Sequence, residues 1–329
     1  MKAFEYAAPG TVEIALKALD GPNATPMGGG VDLLGRMKDL QASPDRVVYL
    51  KDIKGYGGIE GTAATGLTIK AGTLLAAIVE HPEVIAGYPA LAEVVRHVAT
   101  TQIRNMATLG GNLLQRPKDW YFRQGFGMLP MKDGKNLLRE GDNRYAAIFL
   151  NDGDALFVSP SCPAVPLVAL GAKVTIQGPK GERTIPIEGL YQVPKKLGDS
   201  EHTIAPGELI TRISLPPAKG KSGSYEIRHK QSHDWPLAIA SIDLMMDGEA
   251  IADSRVVLYG VAPIPYRSAP AEAALKGKAL SRDTAEAAGK AAVEGAKTLS
   301  MNAYKLPLVV TAVKRALLTI KGDRYWEEA

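Results

Sequence analysis

Residues 99–115, ATTQIRNMATLGGNLLQ, are the stretch from which the rest of the chain is read. Gly110 and Gly111 stand between an apolar approach (Met106, Ala107, Leu109) and an apolar exit (Leu113, Leu114). Paired glycines tolerate φ > 0 and carry no Cβ, so the backbone can come close to a ligand. Successive N–H groups in such a loop form a concave seat for an anion. Thr101, Thr108 and Asn112 add short hydrogen-bonding side chains around it. A second loop of this kind lies upstream at Met27–Leu34, MGGGVDLL. Two glycine loops suggest one ligand with an extended phosphate portion. The plainer alternative is two tight turns, which glycine serves equally well.

The surroundings of the upstream loop favour the first view. Ala24–Met27 reads as a short strand and Val31–Leu40 as a helix, so Gly28–Gly30 sits where a helix N-terminus favours a phosphate. The spacing is not GxGxxG, and no acidic residue follows an evident second Rossmann strand, which excludes a nicotinamide dinucleotide fold. Before it, Thr11 is a candidate N-cap for a helix carrying Val12, Ala15, Leu16 and Leu19, stopped at Gly21-Pro22-Asn23. After it come strands at Arg46–Leu50 and Leu67–Ala71, with Gly57, Gly58 and Gly61 in turns between them. Thr73 is expected to cap a helix over Leu74–Glu80. A helix over Pro89–Val98, with Leu91, Val94, Val95 and Val98 inward, delivers the chain to the central stretch. Strands follow at Lys173–Gln177, Glu182–Pro186 and Leu209–Leu215. The small, charged segment AKGKSG, 218–223, is the best domain boundary. Beyond it, three strand-like runs and two Ala-rich helices, Pro270–Gly295 and Val309–Lys321, predict a small α+β unit.

Composition narrows the function. At 329 residues the chain is long enough for two or three domains, and a net charge of +4 is too small to indicate nucleic acid or a membrane surface. No apolar run approaches a spanning helix, and MKAFEYAAPG lacks the apolar core of a signal segment. Cytoplasm is the expected compartment, with the periplasm open if a partner carries an export signal. Cys162, the single cysteine, excludes an intrachain disulfide or a cluster held by several thiolates of this chain. No HExxH, CxxC, GxSxG or Walker sequence is present, and the five histidines show no metal spacing. The expectation is no catalytic acid–base constellation and no metal.

MGGGVDLL followed by TTQIRNMATLGGN resembles the flavin-binding medium subunit of the molybdenum hydroxylases, the family of xanthine dehydrogenase, aldehyde oxidoreductase and carbon monoxide dehydrogenase. The resemblance runs from FEYAAPGTVEIALKAL near the start to NAYKLPLVVTAVKRALL near the end, and RNMATLGGN is its specific motif. It implies an α+β chain: a two-subdomain FAD-binding fold of the vanillyl-alcohol-oxidase-like (PCMH) type over 1–217, split at about 55–56, then a C-terminal α+β domain over 222–329. It implies FAD, with pyrophosphate and ribityl contacts at Met27, Gly28, Gly29, Gly30, Val31, Asp32 and Leu33. Adjoining contacts are implied at Ala99, Thr101, Ile103, Ala107, Thr108, Gly110, Gly111, Asn112 and Leu114, with Leu209 and Ile210 against the adenine or flavin rim.

The same resemblance implies an electron-transfer subunit. Substrate oxidation would occur at a molybdenum cofactor on a large subunit, and electrons would reach FAD through [2Fe–2S] clusters on a small subunit, with no nucleic acid or membrane partner. Three departures stand out. Residues 115–153 form a long segment of little pattern, expected to be a surface or partner-docking loop. Similar loops in the aldehyde-oxidising branch hold a [4Fe–4S] cluster through cysteines in some members, but here Asp119 stands where a Cys often does and the loop has none, so the cluster is expected to be missing. Cys162 replaces a usual Asp and is expected to be a buried, inert thiol. Glu226 stands where the family often has Lys near the flavin, with Arg228 and Lys230 as candidate substitutes. A stand-alone flavin oxidase of the same fold is the alternative function, and a scaffold that has lost FAD is another.

Overall fold

A computed structural model describes residues 1–231 and 233–324. The first layer is small and parallel. Strands β1 (Glu5–Ala7) and β2 (Ala24–Met27) flank β3 (Arg46–Tyr49), in the order β1-β3-β2. Helix α1 (Val12–Ala18) makes the first crossover, and Thr11 caps it by accepting from Ile14 N–H at 3.3 Å. Helix α2 (Leu33–Lys38) makes the second and is shorter than the 31–40 expected, because Gly30 to Asp32 form the turn that enters it. Leu33, Met37 and Val47 form a local core, while Ala15 and Val48 face the main one.

The second layer is antiparallel. It contains β4 (Ile59–Thr62), β5 (Gly66–Lys70), β8 (Lys173–Gly178), β9 (Gly181–Pro186) and β10 (Leu209–Leu215), ordered β4-β5-β10-β8-β9. Strand β4 was expected to be turn, because Gly61 hid its alternation. Between β5 and β8 lie α3 (Leu75–Glu80), α4 (Pro82–Gly87), α5 (Pro89–Arg96), α6 (Thr101–Arg104), α7 (Leu109–Leu113), α8 (Leu137–Glu140) and α9 (Ala164–Ala169). Leu91, Val94 and Val95 are buried as expected, whereas Val98 lies past the end of α5 and is half-buried. Thr73 does not cap α3. Its hydroxyl instead donates to Gly58 C=O at 2.9 Å and accepts from Gly58 N–H at 3.0 Å, closing the β4–β5 region onto the helix entry.

The third unit carries β11 (Lys221–Ile227), β12 (Ala238–Asp247), β13 (Ala250–Tyr259) and the short β14 (Tyr266–Arg267), in that spatial order. Helices α10 (Ala269–Leu275), α11 (Arg282–Ala291) and α12 (Lys305–Lys321) follow. The helix expected over 270–295 is thus two, parted around Gly277 at φ +74°. Strand β11 starts inside the AKGKSG segment, so that segment is partly structured. Ser224 joins the unit to the second layer, donating to Ala90 C=O at 3.0 Å. Ile239, Val257 and Tyr259 complete the main core from this side.

Residues 115–153 are more ordered than their composition suggested. They hold a π-helical turn (Phe122–Phe126), a two-stranded hairpin of β6 (Met131–Lys132) and β7 (Lys135–Asn136), and α8. Their far end is pinned by Lys305, 2% exposed, whose Nζ donates to the carbonyls of Tyr145 (2.9 Å), Ala146 (2.8 Å) and Gly260 (2.6 Å). Burial pulls this ammonium down to about 7, while three carbonyls use its three donors. Replacing it by methionine keeps the stem and orphans buried acceptors, which costs roughly 2–4 kcal/mol. Lys305→Met is therefore expected to melt several degrees lower by calorimetry. An unchanged midpoint would show that this lysine does not hold the segment.

Candidate cofactor site

A cavity of about 510 Å³ lies where the first and second layers meet, inside the range of small-molecule sites. One wall is the turn between β2 and α2. There the backbone N–H groups of Gly28, Gly29, Gly30, Val31 and Asp32 donate to no acceptor among the described residues. Gly30 takes φ +72°, which bends the turn so that a run of donors is left free. Helix α2 has six residues, so its dipole is a minor contributor and the free N–H groups supply most of the attraction for an anion.

The opposite wall is the central glycine stretch, and it works differently from the sequence expectation. Gly110 and Gly111 lie inside α7, not in a left-handed loop. The N–H groups here are already used: Leu109 donates to Thr73 C=O (2.9 Å), Gly110 to Ala71 C=O (2.9 Å) and Gly111 to Thr108 Oγ1 (3.2 Å). The stretch is therefore no anion cradle. Its glycines serve close packing: a Cβ on Gly110 would meet Ala71 Cβ at 3.0 Å. The two glycine elements touch each other directly. A Cβ on Gly28 would meet Thr108 Oγ1 at 2.5 Å, and one on Gly29 would run into the Met106 carbonyl.

The cavity gathers Met27 through Leu33, together with Ala99, Ile103, Ala107, Thr108, Gly110, Gly111, Asn112, Leu114, Leu209 and Ile210. Ala99 holds an unusual φ of +46° there. Asn112 is fixed by accepting from Ser161 Oγ at 2.9 Å. Ile210, the second residue of β10, accepts through its carbonyl from Tyr56 OH. Thr101 does not line the cavity. Its hydroxyl accepts from Arg104 Nη2 at 3.2 Å, and the cap of α6 is Thr100.

Asp32 lines the cavity but is committed elsewhere. Its carboxylate takes Lys118 Nζ, Arg123 Nη2 at 2.8 Å and the Arg116 N–H at 3.1 Å. Burial pushes this carboxyl up, yet Lys118 and Arg123 outweigh burial and hold it below the usual range. Lys118, Arg123, Arg36, Tyr56 and Trp235 line the same cavity and were not assigned from sequence. The dense basic run around 116–123 was the available signal for two of them.

The remaining expectations sort simply. Cys162 is buried, and burial raises its thiol far above the range where a thiolate forms near neutrality. No group of three or more metal-ligating side chains occurs among the described residues. Glu226 faces a smaller cavity next to the main one, and its neighbour is Arg228, at 3.6 Å. Lys230 is exposed beyond the end of β11.

The chain matches the family model described as the FAD binding domain in molybdopterin dehydrogenase over residues 2–218, and that of the CO dehydrogenase flavoprotein C-terminal domain over 223–320. The chain belongs to the FAD-binding subunits of the molybdenum hydroxylases. It is 32% identical over 332 residues to the aldehyde oxidoreductase FAD-binding subunit PaoB of Escherichia coli (strain K12), covering 98% of each chain. It is 28% identical to the carbon monoxide dehydrogenase medium chain of Hydrogenophaga pseudoflava, covering 95% of this chain and 96% of that one. A solved structure of carbon monoxide dehydrogenase from the same organism, lacking the Mo-pyranopterin moiety of the molybdenum cofactor, superposes with a TM-score of 0.74 at 25% identity over 97% of both chains. The α+β flavoprotein fold is thus the family's, and FAD is the cofactor of this subunit.

The site fits that cofactor on its own terms. FAD carries a pyrophosphate, and the turn at Gly28–Asp32 offers a run of unpaired N–H donors in a glycine-lined concavity. Gly29 provides the sharpest test, because its Cβ would collide with backbone, which cannot swing away. Gly29→Ala is expected to stay folded by circular dichroism yet purify with little FAD. Gly111→Ala meets only the Thr108 hydroxyl, at 2.9 Å, and is expected to keep more. Wild-type flavin content in a folded Gly29→Ala chain would sever this turn from the cofactor.

Proposed function

We propose that this chain carries electrons from iron–sulfur clusters on a small partner subunit to an external acceptor through FAD, in a complex whose large subunit holds the molybdenum cofactor. The observation that carries the reading is the run of free N–H groups at Gly28–Asp32, closed against α7, in a chain matched nearly end to end by the flavoprotein family models. FAD, when bound, accepts and releases electrons without help from a protein acid or base. The chain's own work is to bind and orient.

In this reading the turn at 28–32 takes the pyrophosphate through backbone donors. Thr108, Gly111, Asn112 and Leu114 shape the adjoining wall. Leu209 and Ile210 supply an apolar edge for a ring. Lys118 and Arg123 add positive charge, tempered by Asp32, so the site attracts an anionic cofactor while keeping its own ion pairs. Residues 1–217 act as the FAD-binding domain, with subdomains meeting near residue 55, and 222–329 as the domain packed behind it. Among the described residues no helix is long and apolar enough to cross a membrane. A cytoplasmic complex is the reading we adopt.

Two measurements on the isolated chain check this. Neither glycine element holds His or Cys, so acid precipitation is expected to release FAD into the supernatant, identified by chromatography. Metal analysis of the same sample is expected to find iron far below stoichiometric, because Asp119 and its loop offer no thiolate. Flavin left in the pellet, or iron at one or more per chain, would contradict the reading.

A further inference from the structure

Among the described residues Glu226 accepts no hydrogen bond. It lies near the end of β11 with its side chain 5% exposed, and neither carboxylate oxygen has a hydrogen-bond partner among the described residues. Its contacts with basic side chains are long ion pairs, Arg228 Nε at 3.6 Å and His97 Nδ1 at 3.8 Å, both beyond ordinary hydrogen-bond reach. A buried carboxylate in that position is costly and tends to hold a proton instead. Glu226 faces a cavity of about 240 Å³. Val98, Ala99, Ile103 and Trp235 line both this cavity and the main one, so a shared wall separates the carboxyl from the main cavity.

We propose that Glu226 binds one proton in step with the charge of the cofactor, taking it up when an electron pair enters the site and releasing it through His97 when the pair leaves. The proposal rests on the reading of the main cavity as the FAD site. The electrons come from the iron–sulfur partner and go on to the acceptor, and the proton comes from solvent and returns to it. His97 is suited to pass it. Its side chain is 37% exposed on one side and faces Glu226 on the other. Burial holds its imidazole below the usual value, so near neutrality one nitrogen accepts and the other donates.

The charges around Glu226 set the sign. Arg228 lies two residues along on its own strand. His97 caps the C-terminus of α5, with Glu93 of that helix 3.6 Å from it, and Arg96 and Arg104 act on the His97 end. Cys162 precedes α9 and Tyr259 ends β13. Burial raises both far beyond neutrality, so neither titrates in the relevant range. His233 and Asp234 line the cavity from the turn after β11, and β12 opposes Glu226 with Ile239. Burial pushes the Glu226 carboxyl up to about 8, Arg228 draws it down and Glu93 adds to the rise. Negative charge arriving beyond the shared wall raises it further, because little solvent screens the pair. From about pH 8 upward, the reduced site therefore keeps a proton that the oxidised site has lost.

The test is a potentiometric titration of the FAD-loaded full chain from about pH 6 to about 10, followed by flavin absorbance. Above about pH 8 the wild type is expected to take up more protons per electron pair than Glu226→Gln, approaching one extra, with equal slopes below about pH 7. Proton uptake on photoreduction of the wild type, read with an indicator dye, gives the same quantity without a variant. Equal slopes above and below about pH 8 in the wild type, or an extra proton that persists in Glu226→Gln, would overturn the proposal while leaving FAD binding intact. A wild-type chain that holds no FAD would overturn the reading beneath it, and this proposal with it.

Discussion

Gly29 has no room for a side chain, and much of the site follows from that. Its backbone lies against the Met106 carbonyl, and Gly28 lies against the Thr108 hydroxyl that caps α7. Two loops distant in sequence are thereby held backbone to backbone. Helix α7 is in turn tied to the end of β5, through Gly110 to Ala71 and Leu109 to Thr73. The parallel sheet and the antiparallel sheet therefore meet at a fixed distance. The N–H groups of the first loop are left without acceptors among the described residues, whereas those of the second are spent within the protein. A site assembled this way is largely formed before its ligand arrives, which lowers the ordering cost of binding.

The second constraint is electrostatic. Asp32 leaves the glycine turn and gathers Lys118, Arg123 and the Arg116 N–H from the segment that follows α7. Arg116 continues the chain of contacts to the buried Glu201, at 2.6 Å. Partly buried ion pairs add less stability than their short distances suggest, because both members lose hydration. Their value here is positional. They fold the start of the 115–153 segment back onto the cofactor cavity, and the Lys305 contacts hold its far end. A stretch with few apolar anchors becomes ordered through its polar ones.

The elements with clear periodicity were legible in the sequence: α1 with its Thr11 cap, strands β5, β8, β9 and β10, and the inward face of α5. The glycine elements were legible as a site but not in their roles. Nothing local reveals that the N–H groups of Leu109, Gly110 and Gly111 are consumed by Thr73, Ala71 and Thr108, since two of those partners come from the end of a strand far upstream. Thr101 and Thr100 are equally good caps on paper, and the register of α6 decides between them. Lys118, Arg36 and Trp235 reach the cavity from three separate segments, so only the tertiary fold brings them together. The order within 115–153 depends on Lys305 in a distant helix, which no window of the segment contains.

Binding and protonation are separated along the site. In the proposed site the groups offered to a pyrophosphate are backbone amides, which do not titrate, so that part of the affinity is expected to be insensitive to pH across the physiological range. The carboxylate nearest them, Asp32, is held ionised by its cations and stays charged as pH varies around neutrality. Beyond the wall at Ala99 and Ile103 the situation reverses: Glu226 is buried without a hydrogen bond among the described residues, its carboxyl is pushed up to about 8, and His97 lies between it and solvent. In the proposed site the fixed field belongs to the glycine turn, and the titratable group lies across the wall that the two cavities share. A buried carboxyl without a hydrogen bond costs the folded state whenever it ionises, so the stability of this chain is expected to fall as pH rises through the Glu226 titration at about 8.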